Sequence, residues 1–478
     1  MILSRYILYT VFIHIYLYSM EQKTGQDQQP QQQKSSSLDD LLAYDSLAFT
    51  TKRKASDDDN DDNNDELLVT AVARAPFVFH DTTTTSSVIN SSCIRIGASS
   101  NTGIELNVEL FGGDATSWTN RKNDNDSDES DGGIVCYVHG VCESAETWTV
   151  QNLARVVCQQ QPTKWRLAVL ELEGHGLSSS ALSSSDSSSN NSSNTNKSRG
   201  VLQVGKMDRY VQQVVQFCHH ITHIDQILQK QKHRQDKATE TKLVLCGSSL
   251  GGVLVAYATQ QMMMHRNTDE ERHTYNLVGS LLLSPAVGVD PKVIPSSFIV
   301  AALSLLAWIL PSTGIMTPLE DPSHYNCPST TSRNFFGHWP LATSKLLLDI
   351  TSRIVPSDIQ SGTLNLVKAL TTIAEKRTSP TPIITVVSGD KDPVVPIEAV
   401  RYFVSTMNDT TGTTSAAATT IKSYIDLIEI ANGDHGLLAQ SVKDKPQLNT
   451  NNKTKKRSTT QETLDHVSSF LERCVRIL

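Results

Sequence analysis

The chain has 478 residues and a formal net charge of −8, with 42 Lys and Arg against 50 Asp and Glu. That length admits one large catalytic domain or two ordinary ones. The lack of a basic patch with interleaved aromatics argues against nucleic acid as a partner.

Composition is uneven along the chain. Residues 6–18 (YILYTVFIHIYLY) form an apolar run behind Arg5, of a length that suits a signal-peptide core better than a full membrane span. No small-x-small cleavage site follows it, so residues 1–20 read as either a cleaved signal or an uncleaved signal-anchor. A secretory or membrane-anchored location is expected on that basis, with a cytoplasmic one as the alternative. Residues 21–66, 114–132, 178–199 and 441–461 are rich in Gln, Ser, Asp, Asn, Thr or Lys. Such segments lack the apolar surface that offsets ordering entropy and read as disordered insertions. What remains, within 67–478, has about the size of a single α/β domain carrying an insertion.

Extended segments come first, at 67–80, 93–96 and 104–111. The last reads IELNVELF, a period-2 pattern expected of a half-buried strand in an antiparallel hairpin. The rhythm then changes to strand, loop, helix. Strands are predicted at 134–138, 167–172, 243–246, 278–283, 383–387 and 424–430. Helices are predicted at 145–158, 207–229, 250–263, from about 397, and at 462–477. Continuous apolar strands alternating with helices indicate a mostly parallel sheet covered on both faces. The interval 291–381 breaks the rhythm. Its apolar run 297–310 (SFIVAALSLLAWIL) is too short to span a bilayer and is followed by Pro311 and two weaker helices. It reads either as a core helix of an inserted subdomain or as part of a helical cap that docks on lipid. Cys136, Cys246, Cys218 and Cys474 sit in apolar strand-like or helix-like runs, and no CxxC occurs. Neither a disulfide framework nor a structural zinc site is expected, and the cysteines read as small hydrophobes.

The strongest local signal is Gly247-Ser248-Ser249-Leu250-Gly251. A predicted strand runs into this G-x-S-x-G and a helix follows at once, the arrangement that presents a nucleophilic serine on a sharp turn. Ser249 is therefore the candidate nucleophile. A serine hydroxyl is weak until a base takes its proton. His435, in Asn432-Gly433-Asp434-His435-Gly436 after the last predicted strand, is the candidate base, because the chain order Ser, acid, His selects it. The acid should follow the penultimate strand, where Asp390 and Asp392 both lie; Asp392 is preferred, with Asp390 read as a turn former. Oxyanion donors are expected from the backbone N–H groups of Leu250, next to the nucleophile, and Val141, in the loop after an earlier strand.

With these residues in hand, the sequence resembles the monoacylglycerol lipase/lysophospholipase-like branch of the α/β-hydrolases, also grouped with the serine aminopeptidase-type hydrolases. HGVCES (139–144) is similar to the family's HGxxE-H/S turn, ELEGHGLS (171–178) to DxxGHGxS, and GSSLGG (247–252) to the elbow GHSMGG. GDKDPVVP (389–396) and GDHGLL (433–438) resemble its acid and histidine turns. The resemblance spans about residues 132–478, less the low-complexity segments. It departs at Glu171, where the family usually has Asp, at Ser248, where His is frequent, and in the long loop after Ser178. It implies the α/β-hydrolase fold with a cap at 291–381 and acyl-enzyme hydrolysis of an ester without metal or organic cofactor. The implied substrate is a monoacylglycerol or lysophospholipid-like lipid, with membrane-surface contact through the N-terminal segment and cap. The competing readings are hydrolysis of another acyl compound (peptide, thioester, small ester) and a catalytically silent binding protein of the same fold.

Overall fold

The structure, a computed structural model, describes residues 71, 73–79, 104–112, 132–141, 143–160, 165–178, 207–233, 240–265, 275–290, 292, 294–311, 313–316, 339–376, 382–409, 425–439 and 458–476. The readings of 1–20, 21–66, 93–96 and nearly all of the low-complexity segments lie outside them.

Eight strands form the central sheet, in the order β1 (Ala73–Arg74), β4 (Val108–Phe111), β6 (Arg166–Leu170), β5 (Ile134–Val138), β7 (Thr241–Ser248), β8 (Tyr275–Leu283), β11 (Ile383–Gly389), β12 (Ile425–Ile430). Neighbours from β6 to β12 are parallel, while β4 pairs antiparallel with both β6 and β1 at one edge. This is the expected α/β fold with a mostly parallel sheet. Alternate residues of its strands enter different cores. Ile134, Cys136 and Val138 of β5 face one apolar cluster, while Val135 and Tyr137 face the other. Leu243 and Leu245 of β7 likewise oppose Val244 and Cys246. Period-2 burial on both faces explains why these segments are apolar throughout.

Helices supply the covering layers. Into the first cluster go α2 (Met207–His233), α3 (Leu250–His265) and α8 (Ile397–Asn408), through residues such as Tyr210, Phe217, Val253, Leu254, Val400 and Phe403. The second takes α1 (Trp148–Arg155), through Val150 and Leu153, and α9 (Thr459–Arg476), through Val467, Phe470 and Leu471. Thr147 caps α1 by accepting the Val150 N–H, and α1 runs on through a π-turn at Val156–Gln160. Helix α9 begins at Thr459, three residues before its predicted start and inside the segment read as disordered. Cys136, Cys218, Cys246 and Cys474 are free and buried, as their apolar surroundings imply.

The expected hairpin strand at 104–111 is instead divided at Asn107. Its first half, β3 (Ile104–Leu106), pairs antiparallel with β2 (Phe77–Phe79) in a separate two-stranded sheet, and its second half is β4 of the main sheet. Asn107 holds the switch: its side-chain amide donates to Glu171 Oε2 at 2.8 Å, its backbone N–H to Ser178 Oγ at 2.8 Å, and its carbonyl accepts the Glu171 N–H at 3.0 Å. The alternation of IELNVELF suits β3, where Glu105 is exposed; in β4 the charged Glu109 is buried beside Arg74.

Between β8 and β11 lie α4 (Ser297–Ile309), the short β9 (Gly314–Met316) and β10 (Trp339–Pro340) pair, α5 (Leu341–Asp349), α6 (Val355–Ser361) and α7 (Leu366–Lys376). A π-turn at Ile350–Ile354 joins α5 to α6. Leu346, Ile350, Val355, Ile359, Leu366 and Leu370 bury their side chains in the first cluster. Helix α4 has no buried residue; Phe298 is 77% and Trp308 81% exposed, and Ile299, Leu305 and Ile309 are also open. The core-helix reading of 297–310 is therefore incorrect: the apolar run is on the surface. Among the described residues no helix is long and apolar enough to cross a membrane.

Strand order reverses between β5 and β7, since the chain places β6 to one side of β5 and β7 to the other. Such a switch point leaves a crevice beyond the carboxyl ends of the strands, where the loops after β5 and β7 diverge. Val138 at the end of β5 lies in register with Gly247 of β7, so residues 139–141 and Ser249 emerge side by side.

Candidate active site

Ser249 stands between β7 and α3 with φ 51°, in the left-handed region that non-glycine residues seldom occupy. The strain is held by backbone bonds: the Ser249 N–H donates to the Leu283 carbonyl at 2.9 Å, and the Ser249 carbonyl accepts from Val253 and Ala286. Only glycine fits on either side. A Cβ on Gly247 would come within 2.4 Å of the Gly251 carbonyl oxygen, and one on Gly251 within 2.2 Å of the Val138 oxygen. The G-x-S-x-G pattern is thus a packing requirement of helix against strand as well as of the turn.

The turn after β12 brings His435 to the serine, with Nε2 2.8 Å from Ser249 Oγ. Its other nitrogen, Nδ1, lies 2.7 Å from Asp392 Oδ2. Asp392 comes from the turn after β11, and its Oδ1 accepts the N–H groups of Val394 and Val395, each at 2.8 Å. The carboxylate side chain is fully shielded while that of His435 is 24% exposed. A carboxylate only accepts, so Nδ1 carries the imidazole proton and Nε2 is left to accept from the serine hydroxyl. The three residues singled out in the sequence are therefore in one chain of hydrogen bonds. Asp390 is elsewhere: its Oδ1 accepts the Asn432 N–H at 2.6 Å and fastens the two turns together. Asp434 is exposed and caps its own turn at the Gly436 N–H.

Both proposed oxyanion donors border the serine. Leu250 is the first residue of α3, where helix N–H groups lack intrahelical partners. Val141 follows Gly140, whose added Cβ would lie 3.2 Å from Ser249 Cβ, so the loop passes directly over Ser249. The Gly140 carbonyl lies 2.6 Å from His139 Nδ1, and His139 Nε2 accepts the Leu172 N–H at 3.1 Å. With Nε2 accepting, Nδ1–H is the donor. Because a peptide is planar and trans, fixing the Gly140 carbonyl also fixes the Val141 N–H on its opposite side. Burial drives the His139 pKa down to about 4 and that of its neighbour His175 to about 3, where His139 also repels it. Both rings are neutral structural parts, packed at 4.8 Å between centroids with their planes tilted by 51°.

Tyr137 and Glu143, to which the sequence reading gave no role, and Ser248, noted there only as a departure from the family's elbow, complete the surroundings. Glu143 Oε2 accepts the Gly140 N–H at 2.7 Å and faces Ser248 Oγ at 3.3 Å, and Ser248 Oγ lies 2.8 Å from the Tyr137 hydroxyl. The sequence-level signals for them were the HGVCES turn and the serine preceding Ser249. Glu171 shows why an acid belongs at the head of its segment: its carboxylate accepts from Asn107, Ala145 and Leu177 and ties three loops. Among the described residues no group of three or more His, Cys, Asp or Glu could hold a metal ion.

Residues 129–419 match the family model described as serine aminopeptidase, S33. The chain belongs to that family of α/β-hydrolases. No curated protein matches it. Similar solved structures include a soluble variant of monoglyceride lipase from Saccharomyces cerevisiae, 11% identical, covering 79% of this chain and 93% of that one at a TM-score of 0.47. The monoacylglycerol lipase of Paleococcus ferrophilus is 14% identical over 72% of this chain and 95% of its own, at 0.40. Est1E from Butyrivibrio proteoclasticus with bound ferulic acid is 13% identical over 78% and 96%, at 0.38. Likenesses this remote carry no argument about substrate.

Proposed function

We propose that this protein is a serine ester hydrolase in which Ser249 is the nucleophile, His435 the general base and acid, and Asp392 the residue that orients His435. The observation that carries the reading is the continuous path Ser249 Oγ to His435 Nε2 at 2.8 Å and His435 Nδ1 to Asp392 Oδ2 at 2.7 Å. Ser249 Oγ attacks the acyl carbonyl as its proton passes to Nε2. The N–H groups of Val141 and Leu250 stabilise the tetrahedral oxyanion. Collapse expels the alcohol, protonated by His435, and leaves an acyl-serine. Water then repeats the sequence with His435 as base, releasing the acid and the free serine. The chain's own groups supply every proton transfer.

The exposed apolar helix α4, which we read as part of a cap between β8 and β11, supports a lipid substrate class. A helix with Phe298, Ile299, Leu305, Trp308 and Ile309 open to solvent suits contact with a lipid surface, and so a monoacylglycerol or lysophospholipid-like ester. The decisive test is fluorophosphonate labelling of the full chain against Ser249→Ala and His435→Ala. Labelling that requires both residues is expected. A folded wild type that does not label would overturn the enzyme reading in favour of a silent binding protein, and labelling that survives Ser249→Ala would assign the nucleophile elsewhere.

A further inference from the structure

Glu143 is an acid beside the nucleophile with no part in the path from Ser249 to Asp392. It stands at the end of the turn 140–143, closed by its own N–H donating to the Gly140 carbonyl at 3.4 Å, and its carboxylate folds back over that turn. Oxygen Oε2 accepts from two donors, the Gly140 N–H and the Ser248 hydroxyl. With Ser248 donating to the carboxylate, Tyr137 donates to Ser248, giving a directed row from Tyr137 O–H through Ser248 O–H to Glu143. Thr149 Oγ1 of α1 lies 3.5 Å from the other oxygen. Tyr137 is fully buried in β5 and Ser248 ends β7, so the row is anchored in the two strands flanking the switch point.

Among the described residues no Lys or Arg pairs with Glu143. Ser248 from β7 and Thr149 from α1 donate to it, and Tyr137 from β5 and His435 from the turn after β12 lie within reach of its charge. His435 itself is held by Asp392 at Nδ1 and by Ser249 at Nε2. A charged carboxylate without a cation of its own acts most strongly on the nearest group that becomes one.

We propose that Glu143 is a positioning residue for this site: its carboxylate holds the Gly140 amide, and thereby the loop carrying the Val141 N–H, and its charge favours the imidazolium form of His435. The proposal rests on the serine-hydrolase reading only for its kinetic consequence. Burial raises the Glu143 pKa, and the hydrogen bond from Gly140, followed by the attraction of His435, opposes that rise. Ser248 makes the effect specific to this chain. A histidine in its place would set a competing cation against Glu143, whereas a hydroxyl only donates a hydrogen bond.

Two readouts on the full chain separate this proposal from the function itself. The first is NMR titration of His435, its signal identified by its loss in His435→Ala, in wild type and Glu143→Gln. Glutamine preserves the acceptor for Gly140 and removes the charge, so the His435 pKa is expected to fall by about half a unit or more. The second is the pH profile of p-nitrophenyl butyrate hydrolysis. Its acid limb should move the same way, kcat should fall by roughly three- to tenfold, and KM should stay within about twofold. Ser248→His, which keeps Glu143, should shift His435 in the same direction and serves if the Gln variant does not fold. An unmoved His435 pKa in a folded variant overturns the proposal whether or not the wild type is active. An inactive wild type with a shifted pKa overturns the hydrolase reading alone.

Discussion

Asp392 uses its two oxygens differently, and the difference makes its role testable. Oδ1 is committed to the N–H groups of Val394 and Val395, and Oδ2 alone faces His435. In Asp392→Asn the amide oxygen stays with the two backbone donors, which turns the NH2 group toward Nδ1. That nitrogen must then accept, its proton moves to Nε2, and the base toward Ser249 is lost. A fall in kcat of about 10³–10⁴ on a soluble ester is expected, with the fold retained by circular dichroism. Asp390→Asn is the control, because Asp390 Oδ1 only accepts the Asn432 N–H and an amide oxygen does the same. Its kcat should stay within about threefold of wild type. Equal losses in the two variants would remove Asp392 from the assigned role. At this scale Ser249, His435 and Asp392 were legible because each sits at a strand end whose chain order is dictated by the fold. The row Tyr137, Ser248 and Glu143 was not, because its members come from two strands and a loop with no common spacing.

Helix α4 shows how a pattern of residues leaves orientation open. Thirteen residues that are apolar nearly all round are compatible with a buried core helix or with a surface one, and periodicity does not choose between them. Its neighbours were easier to read: Leu346, Ile350, Val355 and Ile359 turn one side inward and pack against the first core. The division of 104–111 at Asn107 escaped notice for a related reason, since β3 and β4 share one alternating pattern but join different sheets. For α4 the exposed side chains make a direct prediction. Phe298→Ser with Trp308→Ser removes two large apolar groups that touch little of the protein, so thermal stability should change slightly. If the helix docks on lipid, each loses roughly 1.5–3 kcal/mol of burial in the interface. Hydrolysis of long-chain monoacylglycerol presented in vesicles should then drop by about tenfold or more, while p-nitrophenyl butyrate turnover stays unchanged. Equal rates in vesicles for both proteins would sink the docking role of α4.

Across the whole molecule the sheet was legible because two-sided burial writes a continuous apolar run into each parallel strand. The packing of loops above the sheet was less so, and it depends on buried polar groups with a pH signature. His139 and His175 sit fully shielded between the loops after β5 and β6, with pKa values of about 4 and about 3. Both are depressed below the value of about 6.5 expected in the unfolded chain. The unfolded state therefore binds more protons wherever the two values straddle the pH, so stability rises with pH in that window. The contribution is complete above about pH 6.5 and is lost as pH falls through 4 toward 3. Each imidazole adds a slope of about 1.4 kcal/mol per pH unit while its folded form stays neutral and its unfolded form is charged. Urea denaturation from pH 7.5 to 4.5 should accordingly show stability declining from near pH 6.5. In His175→Asn the curve should start lower, because the contact with the Glu173 carbonyl is altered, yet decline less steeply by about one proton's worth. An unchanged slope in that variant would mean that His175 is charged in the fold, which its burial and the nearness of His139 oppose. Protonating His139 would break the bond that its Nε2 accepts from the Leu172 N–H, since an imidazolium only donates, and would so disturb the ring that holds the Gly140 carbonyl. Loosening of the loop over Ser249 should thus accompany acid unfolding rather than precede it, with hydrogen-exchange protection of the Gly140 and Val141 amides and far-UV signal falling together as the pH is lowered.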